Sequence, residues 1–214
     1  MAIDKSQSPA WVRITVWVTI FAFVGTVAGY GLFQAFSSFG NNGATNGASQ
    51  VTAGLDSINA VYEPQVTAIE TQLAGDEENL NVLISLGTTY MNWAYALYNS
   101  TDAAAQAQFG PTMSSAVPIW ERAYEIDPES KEIGGDLASS LYYSGQEDRA
   151  ITLAREVLEK NPDYATVWFN LGVFLTNSND TAGATEAFNK AIETDSDGTV
   201  TENAKSMLGQ LGAQ

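Results

Sequence analysis

The 214-residue sequence contains no cysteine and no histidine. Their absence excludes disulfides, thiolate zinc sites, cysteine nucleophiles, catalytic triads that use histidine, and histidine-bearing metal centres. No two carboxylates stand out as an acid–base pair, and the acidic run GDEENL at 75–80 is better explained as negative charge at a helix N-terminus. The sequence therefore predicts a protein that is not an enzyme and that uses no cofactor and no metal.

Basic residues are scarce as well. Lysine and arginine number 9 against 25 aspartates and glutamates, which gives a formal net charge of −16 and an isoelectric point near 4.1. Such a charge repels phosphate backbones and anionic lipid surfaces, so we expect no nucleic-acid partner. The acidity favours basic or neutral protein partners, unless it serves only to keep the surface solvated.

One long segment, residues 14–36, has no charged residue at all. As a helix with a rise of 1.5 Å per residue it would be about 34 Å long, which is enough to span a bilayer. The alternative explanation is a cleavable signal peptide, but such peptides have apolar runs of roughly 7–15 residues and end in a small-x-small site, which is not evident here. We therefore expect a retained transmembrane helix at 14–36.

The two basic residues near this segment, Lys5 and Arg13, lie on its short N-terminal side. The positive-inside rule therefore predicts a single-pass protein of the cell membrane, with a cytoplasmic N-terminus at 1–13 and an extracytoplasmic C-terminal domain. Gly25 and Gly29 form a Gly-x-x-x-Gly motif that would allow a homodimer of membrane helices, although glycine is common in such helices for other reasons.

Beyond the apolar segment, residues 37–50 are rich in glycine, asparagine and serine and are expected to form a flexible linker. Apolar residues with a helical period then begin at Val51. Pro64 suits the first turn of a new helix, where its missing N–H is no loss. Residues 51–75 are therefore predicted to form a helical hairpin, equivalent to a degenerate half-repeat.

The remainder of the sequence repeats itself. Residues 165–198 align with residues 131–164, so that Leu171 corresponds to Leu137 and Ala184 corresponds to Ala150. The pattern resembles the tetratricopeptide repeat (TPR), in which Trp-x2-Leu-Gly-x2-Tyr is followed by Ala-x3-Phe and then by Pro. Residues 165–198 carry this pattern in Trp168, Leu171, Gly172, Ala184 and Phe188.

An earlier unit spans residues 80–130, but its two halves are too far apart. Gly87 and Trp120 are separated by 33 positions, whereas Gly172 and Phe188 are separated by 16, a difference of 17. We therefore predict an insertion at about 94–111, which lengthens the first helix to about Asn99 and then forms a loop. Its aromatic residues either pack over that helix or form a contact surface; they are Trp93, Tyr95, Tyr98 and Phe109.

The resemblance implies an all-α fold: an N-terminal transmembrane helix followed by an α-solenoid of about three helical hairpins, with a capping helix at 199–214. The two helices of each hairpin cross closely in this family. We therefore expect Gly172 to serve packing, because a small residue there lets Ala184 approach from the partner helix.

The resemblance also implies a groove, lined by the first helix of each unit, that holds a peptide or protein segment. The predicted groove residues are Asn81, Ile84, Thr88, Met91, Asn92, Ser139, Tyr142, Tyr143, Phe169, Asn170, Val173 and Asn177. Tyr142, Tyr143 and Phe169 would be aromatic anchors. Hydrogen bonds to the partner would come from Asn92, Asn170 and Asn177. The alternative is that the rings of Tyr142 and Phe169 pack on neighbouring repeats or on the C-terminal helix. Glu132 and Asp136 are the only charges of this face, and without cationic residues it would not hold the acidic chaperone tails that some members of the family bind.

A possible calcium loop near the C-terminus is incomplete. Glu193, Asp195 and Asp197 precede Gly198 with a suitable spacing, but Ala204 stands where a bidentate glutamate is required. We expect a solvated turn between the last repeat and the capping helix instead.

Taken as a whole, the sequence predicts a membrane-anchored scaffold that holds an unidentified protein or peptide partner outside the cytoplasm. Two alternatives stay open. One is an assembly factor for a membrane complex, for example one that presents apocytochromes for haem attachment. The other is a structural subunit of a membrane complex, for which stoichiometric co-purification would be expected.

Overall fold

The computed structural model describes residues 54–196 and 198–212. The helices of this part of the chain are α1 (Leu55–Leu73), α2 (Leu80–Tyr98), α3 (Ala103–Gln106), α4 (Phe109–Ile126), α5 (Lys131–Tyr143), α6 (Glu147–Lys160), α7 (Ala165–Asn177), α8 (Thr181–Thr194) and α9 (Thr201–Gly212). The predicted N-terminus at 1–13, the transmembrane helix with its Gly25 and Gly29, and the linker at 37–50 lie outside the described residues. Within the described ranges, no helix combines the length and the apolar character that crossing a membrane requires.

The helices pack as consecutive pairs. α2 packs on α4, α5 on α6, and α7 on α8, and the short connections make the partners antiparallel. Each pair also stacks on the one before it, through contacts of α5 with α4 and of α7 with α6. The helices α1 and α9 cover the two ends, and one continuous hydrophobic core runs from α1 to α9. The predicted all-α solenoid is thus confirmed for the described residues.

The prediction of a helical hairpin at 51–75 is wrong, because α1 is one continuous helix with Pro64 inside it. A proline in a helix interior removes one backbone hydrogen bond and usually kinks or ends the helix. Here Ile58 before the proline and Val66 after it are both buried, and the whole helix packs along α2. Burial on both sides of Pro64 explains why the helix continues.

The insertion between α2 and α4 is hydrogen-bonded to the start of α1. α2 ends at Tyr98, and the short helix α3 forms in the segment predicted to be a loop. The carboxylate of Asp102 accepts hydrogen bonds from the backbone N–H of Leu55 at 3.0 Å and of Ala104 at 2.9 Å. These hydrogen bonds lower the pKa of Asp102, and the one from Leu55 has the largest effect. One side chain therefore caps the N-termini of two helices.

Trp93, one of the aromatic residues near the insertion, joins α2 to α1. Its ring stacks on those of Tyr62 and Tyr90, with centroids 6.2 Å apart in both pairs. Its Nε1 donates a hydrogen bond to Asn59 Oδ1 at 3.1 Å. Of the two expectations for this residue, packing is therefore the one that the structure shows.

Glycine in the first helix of a hairpin makes room for an aromatic ring from the second helix. A Cβ atom at Gly172 would lie 2.6 Å from the ring of Phe188, and one at Gly87 would lie 2.5 Å from the ring of Trp120. The predicted role of Gly172 in packing is therefore confirmed, but its predicted partner is corrected. The side chain that occupies the space beside Gly172 is the ring of Phe188, one turn beyond Ala184.

Asp195 connects the last hairpin to the C-terminal helix. Its Oδ2 accepts hydrogen bonds from the backbone N–H of Val200 at 3.0 Å and of Thr201 at 2.7 Å, and from the Thr201 hydroxyl at 2.6 Å. Asp195 therefore acts as the N-terminal cap of α9. Among the residues that the structure describes, no three or more carboxylates cluster as metal ligands would, and Asp197 lies outside that part of the chain.

Candidate functional site: the first-helix face

The candidate site is the side of the solenoid formed by α2, α5 and α7, which we call the first-helix face. All the predicted groove residues belong to these three helices. Those that keep exposed surface include one fully exposed residue, Asn81, and six half-buried ones: Ile84, Thr88, Asn92, Tyr143, Asn170 and Asn177. The accessible part of the predicted site therefore lies mainly on α2, with two residues on α7 and one at the end of α5.

The other predicted residues belong to the core. Tyr142 is 4% exposed and Phe169 is 7% exposed, and Met91, Ser139 and Val173 are also buried. The ring of Tyr142 stacks on Phe174 with centroids 4.2 Å apart, and the ring of Phe169 packs at 5.6 Å from Phe188. Packing on a neighbouring repeat, an alternative left open by the sequence, is what the structure shows for Tyr142, whereas Phe169 packs on the second helix of its own hairpin. Neither offers an exposed anchor.

Two of the three amides predicted to bind a partner join α7 to α5 instead. Asn170 Nδ2 donates a hydrogen bond to Ser139 Oγ at 3.1 Å. Asn177 Nδ2 donates one to the hydroxyl of Tyr142. These hydrogen bonds are part of the interface between two successive hairpins. The two amides therefore hold α5 and α7 together and already have hydrogen-bond partners within the protein.

An aromatic cluster lies where α2, α4 and α5 meet. The ring centroid of Phe109 is 5.2 Å from that of Tyr98, 5.4 Å from that of Tyr143 and 6.3 Å from that of Tyr95. Tyr143 also contacts Tyr95 at 6.3 Å and Tyr142 at 5.2 Å. Burial raises the pKa of Tyr143 and of Tyr95 well above the usual value and that of Tyr98 to about 12, so the three phenols stay neutral at physiological pH.

This cluster shows that the aromatic residues of the insertion pack on the protein. The sequence singles out Tyr95, Tyr98 and Phe109, but it gives no sign that Tyr143, more than 30 positions further along, completes their cluster. All four keep some exposed surface. The insertion therefore widens the first-helix face beside α5.

Two carboxylates, Glu132 and Asp136, lie on the first half of α5. Glu132 is exposed, whereas Asp136 is mostly buried. Burial, together with repulsion from Glu132, raises the pKa of Asp136 to about 7. The charge of Asp136 also adds to the effect of burial in raising the pKa of Tyr95, and the charges of Glu132 and Asp136 add to it in raising the pKa of Tyr164. Sequence reasoning noted both acids as charges of this face but did not include them in the site.

A glycine brings α7 close to this carboxylate. A Cβ atom at Gly135 would lie 2.9 Å from Val167 Cγ2 and 3.6 Å from the ring of Tyr164. Tyr164 therefore sits directly beside α5. The ammonium of Lys131 lies 4.9 Å from the centroid of the same ring, so this ring already attracts one cation.

The opposite side of the solenoid, formed by α4, α6 and α8, carries two open clefts. The larger has a volume of about 610 Å³ and is lined by Leu137 and Leu141, among other residues. Arg149 and Glu121, which also line it, form an ion pair with 2.7 Å between the guanidinium nitrogen and the carboxylate oxygen. The smaller, of about 330 Å³, lies beside Trp168. Both are shallow surface features between second helices.

The family comparison covers the middle and the end of the solenoid. Residues 136–199 match the family model described as tetratricopeptide repeat. This match includes α7 and α8 completely, together with most of α5 and all of α6. The described part of the chain is therefore a TPR-like helical solenoid.

Solved structures of similar architecture include the crystal structure of MamA protein, with a TM-score of 0.56, 20% identity, and coverage of 72% of this chain and 73% of that one. Another is TTC0263, a thermophilic TPR protein in Thermus thermophilus, with a TM-score of 0.55, 15% identity, and coverage of 70% and 74%. At such low identities the likeness concerns the fold alone.

Two curated relatives are named peroxisomal targeting signal receptor. The one from Eremothecium gossypii is 25% identical over 150 residues, which cover 60% of this chain and 25% of the relative. The one from Candida albicans is 25% identical over 154 residues, with coverage of 60% and 26%. The chain thus spans about a quarter of the length of the curated relatives that it matches.

Proposed function

We propose that this protein is a non-enzymatic scaffold whose first-helix face binds a segment of a protein partner. The observation that carries the proposal is the arrangement of half-buried, mostly uncharged side chains along α2 and α5, bordered by the aromatic cluster and two carboxylates. A TPR-like solenoid supports such a role, because its stacked hairpins present an extended surface for protein segments. The curated relatives, named as receptors of a targeting signal, are consistent with recognition of a short segment.

We further propose that residues 14–36 anchor the scaffold in the cell membrane and that the solenoid lies outside the cytoplasm. The support is the uncharged run of residues 14–36 and the position of Lys5 and Arg13 before it. Protease added to the outer face of intact membranes is expected to destroy the solenoid. Complete protection of the solenoid, with digestion after the membrane is opened, would contradict this orientation.

The binding proposal is tested by capture from native membranes in gentle detergent, followed by mass spectrometry. The test variant, Thr88→Arg/Asn92→Arg, adds two large cations to half-buried positions of α2 on the first-helix face. The control variant, Ser114→Arg/Thr152→Arg, adds the same charge at exposed positions of α4 and α6 on the opposite side. Circular dichroism and thermal melting establish that both variants fold.

A partner that is recovered with the wild type and the control, and lost with the test variant, supports binding at the first-helix face. If all three proteins retain the same stoichiometric subunits, the proposal is wrong. The protein is then a structural subunit held by another surface, which is the alternative that the sequence leaves open.

A further inference from the structure

The aromatic cluster forms a continuous surface on the solenoid. The ring of Phe109 contacts those of Tyr98 and Tyr143, with centroids 5.2 Å and 5.4 Å apart, and all three residues keep exposed surface. Contiguous apolar surface of this kind, unlike a single exposed ring, is typical of a contact site. Aromatic rings pack favourably against the faces and edges of other rings. The cluster is therefore suited to an uncharged occupant that contains aromatic side chains.

The chain enters α1 beside this cluster. The backbone N–H of Leu55 donates a hydrogen bond to Asp102 Oδ2 at 3.0 Å, and a Cβ atom at Gly54 would lie 3.3 Å from the same oxygen. Asp102 follows Tyr98 by four residues, and consecutive Cα atoms are 3.8 Å apart, so the Cα atoms of these two residues lie within about 15 Å of each other. The residues that precede Gly54 are therefore attached to the solenoid at the insertion, close to Tyr98.

The sequence before this entry point carries aromatic residues and no charge. Residues 14–55 contain no aspartate, glutamate, lysine or arginine. Phe36 and Phe39 are the last aromatic residues before α1. Only residues 40–53 separate Phe39 from Gly54, and a glycine-rich chain of this length has an r.m.s. reach of about 20 Å. The two phenylalanines are thus within reach of the cluster.

We propose that Phe36 and Phe39 of the same chain pack on the aromatic cluster, against the rings of Tyr98 and Phe109. The short connection to Gly54 supports this occupant, because it sets an effective concentration on the order of millimolar, at which even a weak contact is occupied. The contact also buries no charge on either side. This inference goes beyond the proposed function, since the contact holds the first-helix face at a fixed place relative to the N-terminal part of the chain.

The test uses engineered disulfides in the full chain in detergent, because the protein has no cysteine of its own. The test pair, Ser38→Cys/Asn99→Cys, keeps all the rings and places one thiol between the two phenylalanines and the other at an exposed position next to Tyr98. The control pair, Ser38→Cys/Ser114→Cys, has its second thiol at an exposed position of α4. In a glutathione redox buffer, the fraction of intrachain disulfide gives the effective concentration of each pair of thiols.

We expect Phe36→Ser/Phe39→Ser to lower the effective concentration of the test pair by about tenfold, because the rings that hold Ser38 near Asn99 are lost. The same change should leave the control pair unaltered, since the length of the connection stays the same in both. Tyr98→Ser removes a ring from the other side of the contact and should lower the value of the test pair in the same direction. Circular dichroism and thermal melting establish that each variant folds.

Equal values for the test pair with and without the two phenylalanines would overturn the proposal, because the connection alone would then set the distance. Disulfides that join two chains would also overturn it and would assign the cluster to a second copy of the protein. The proposed function fails separately. Capture of a partner is decided by Thr88→Arg/Asn92→Arg, which leaves the phenylalanines and the cluster intact.

Discussion

Two hairpins of the solenoid, α5/α6 and α7/α8, fill the same space in different ways. In α7/α8 the first helix contributes Gly172 and the second contributes Phe188, whose ring would lie 2.6 Å from a Cβ on the glycine. In α5/α6 the corresponding residues are Ala138 and Ala154, which are 1% and 0% exposed. The two facing residues therefore share the space at the helix crossing, and the large ring of Phe188 requires glycine opposite it. The comparison teaches that this crossing accepts either a pair of alanines or a ring opposite glycine, although the two pairs differ in total volume.

The same two hairpins also differ at one polar position. Asn170 in α7 is hydrogen-bonded to Ser139 across the interface, whereas Asp136 in α5 is an unpaired acid beside Glu132. A neutral amide satisfies its position within the protein, while a buried acid makes its position sensitive to pH. One hairpin therefore satisfies this polar position internally, and the other carries an acid whose ionisation is disfavoured by burial.

The largest expected effect on stability comes from Phe188→Ala, which leaves a cavity beside Gly172. Phenylalanine-to-alanine changes in a core lower the free energy of unfolding by about 3–5 kcal/mol. Adding Gly172→Ala to this variant recreates the alanine pair of α5/α6, fills part of the cavity and gains helix propensity of about 1 kcal/mol. Urea denaturation should therefore find the double variant more stable than the single one. A double variant that is less stable than Phe188→Ala would contradict the idea of a shared volume.

The difference between the acid Asp136 and the neutral Asn170 predicts that the stability of the protein depends on pH. The pKa of Asp136 is about 7 in the folded protein and 3.8 ordinarily, so between these values the folded chain holds a proton that the unfolded chain has released. The contribution of this group to stability therefore falls as the pH rises from about 4 to about 7, by at most about 4 kcal/mol.

This pH effect is measured as a difference between variants, because other carboxylates titrate in the same range. The free energy of unfolding of Asp136→Asn, relative to the wild type, should increase between pH 4 and pH 8. Asp148→Asn, an exposed change on α6, provides the control and should show no such increase. Parallel curves for the wild type and Asp136→Asn would mean that Asp136 titrates normally.

The smallest of the expected effects comes from Gly172→Ala alone. Overpacking against the Phe188 ring costs about 1–3 kcal/mol, and the better helix propensity of alanine returns up to about 1 kcal/mol, so we expect a net loss of about 1–2 kcal/mol. Gly209→Ala in α9 is the matched control, because a Cβ there meets no atom within 4 Å. That variant should be slightly more stable than the wild type in the same denaturation experiment. A gain in stability with Gly172→Ala would show that the ring can move aside without cost.

Much of the fold could be predicted from the sequence because helical repeats are locally encoded. Leu171 and Ala184 recur as Leu137 and Ala150, 34 positions earlier, and this period is that of a unit of two helices. The prediction at Pro64 was wrong because it used a local rule, that proline favours the first turn of a helix. Burial of Ile58 and Val66 in the helix that packs on α2 outweighed that preference. That outcome depends on another helix, and sequence periodicity around the proline does not contain it.

The candidate site was less predictable, because it depends on contacts between helices. The position of Tyr142 within its repeat suggests exposure, yet its ring is covered by Phe174 from the next hairpin. The position of Asn170 suggests a free amide, yet Ser139, 31 positions earlier, accepts its hydrogen bond. Asp136 follows the same trend, since this acid, expected as a charge of the first-helix face, is mostly buried.

The sequence by itself determined the all-α architecture, the helical repeats and the role of Gly172 in helix packing, since each depends on the spacing of side chains along one helix or one hairpin. The tertiary structure alone decided which side chains of the first-helix face remain accessible, and which acid lacks a partner. Burial and pKa depend on atoms brought together from α2, α5 and α7, and those distances are set only when the hairpins stack.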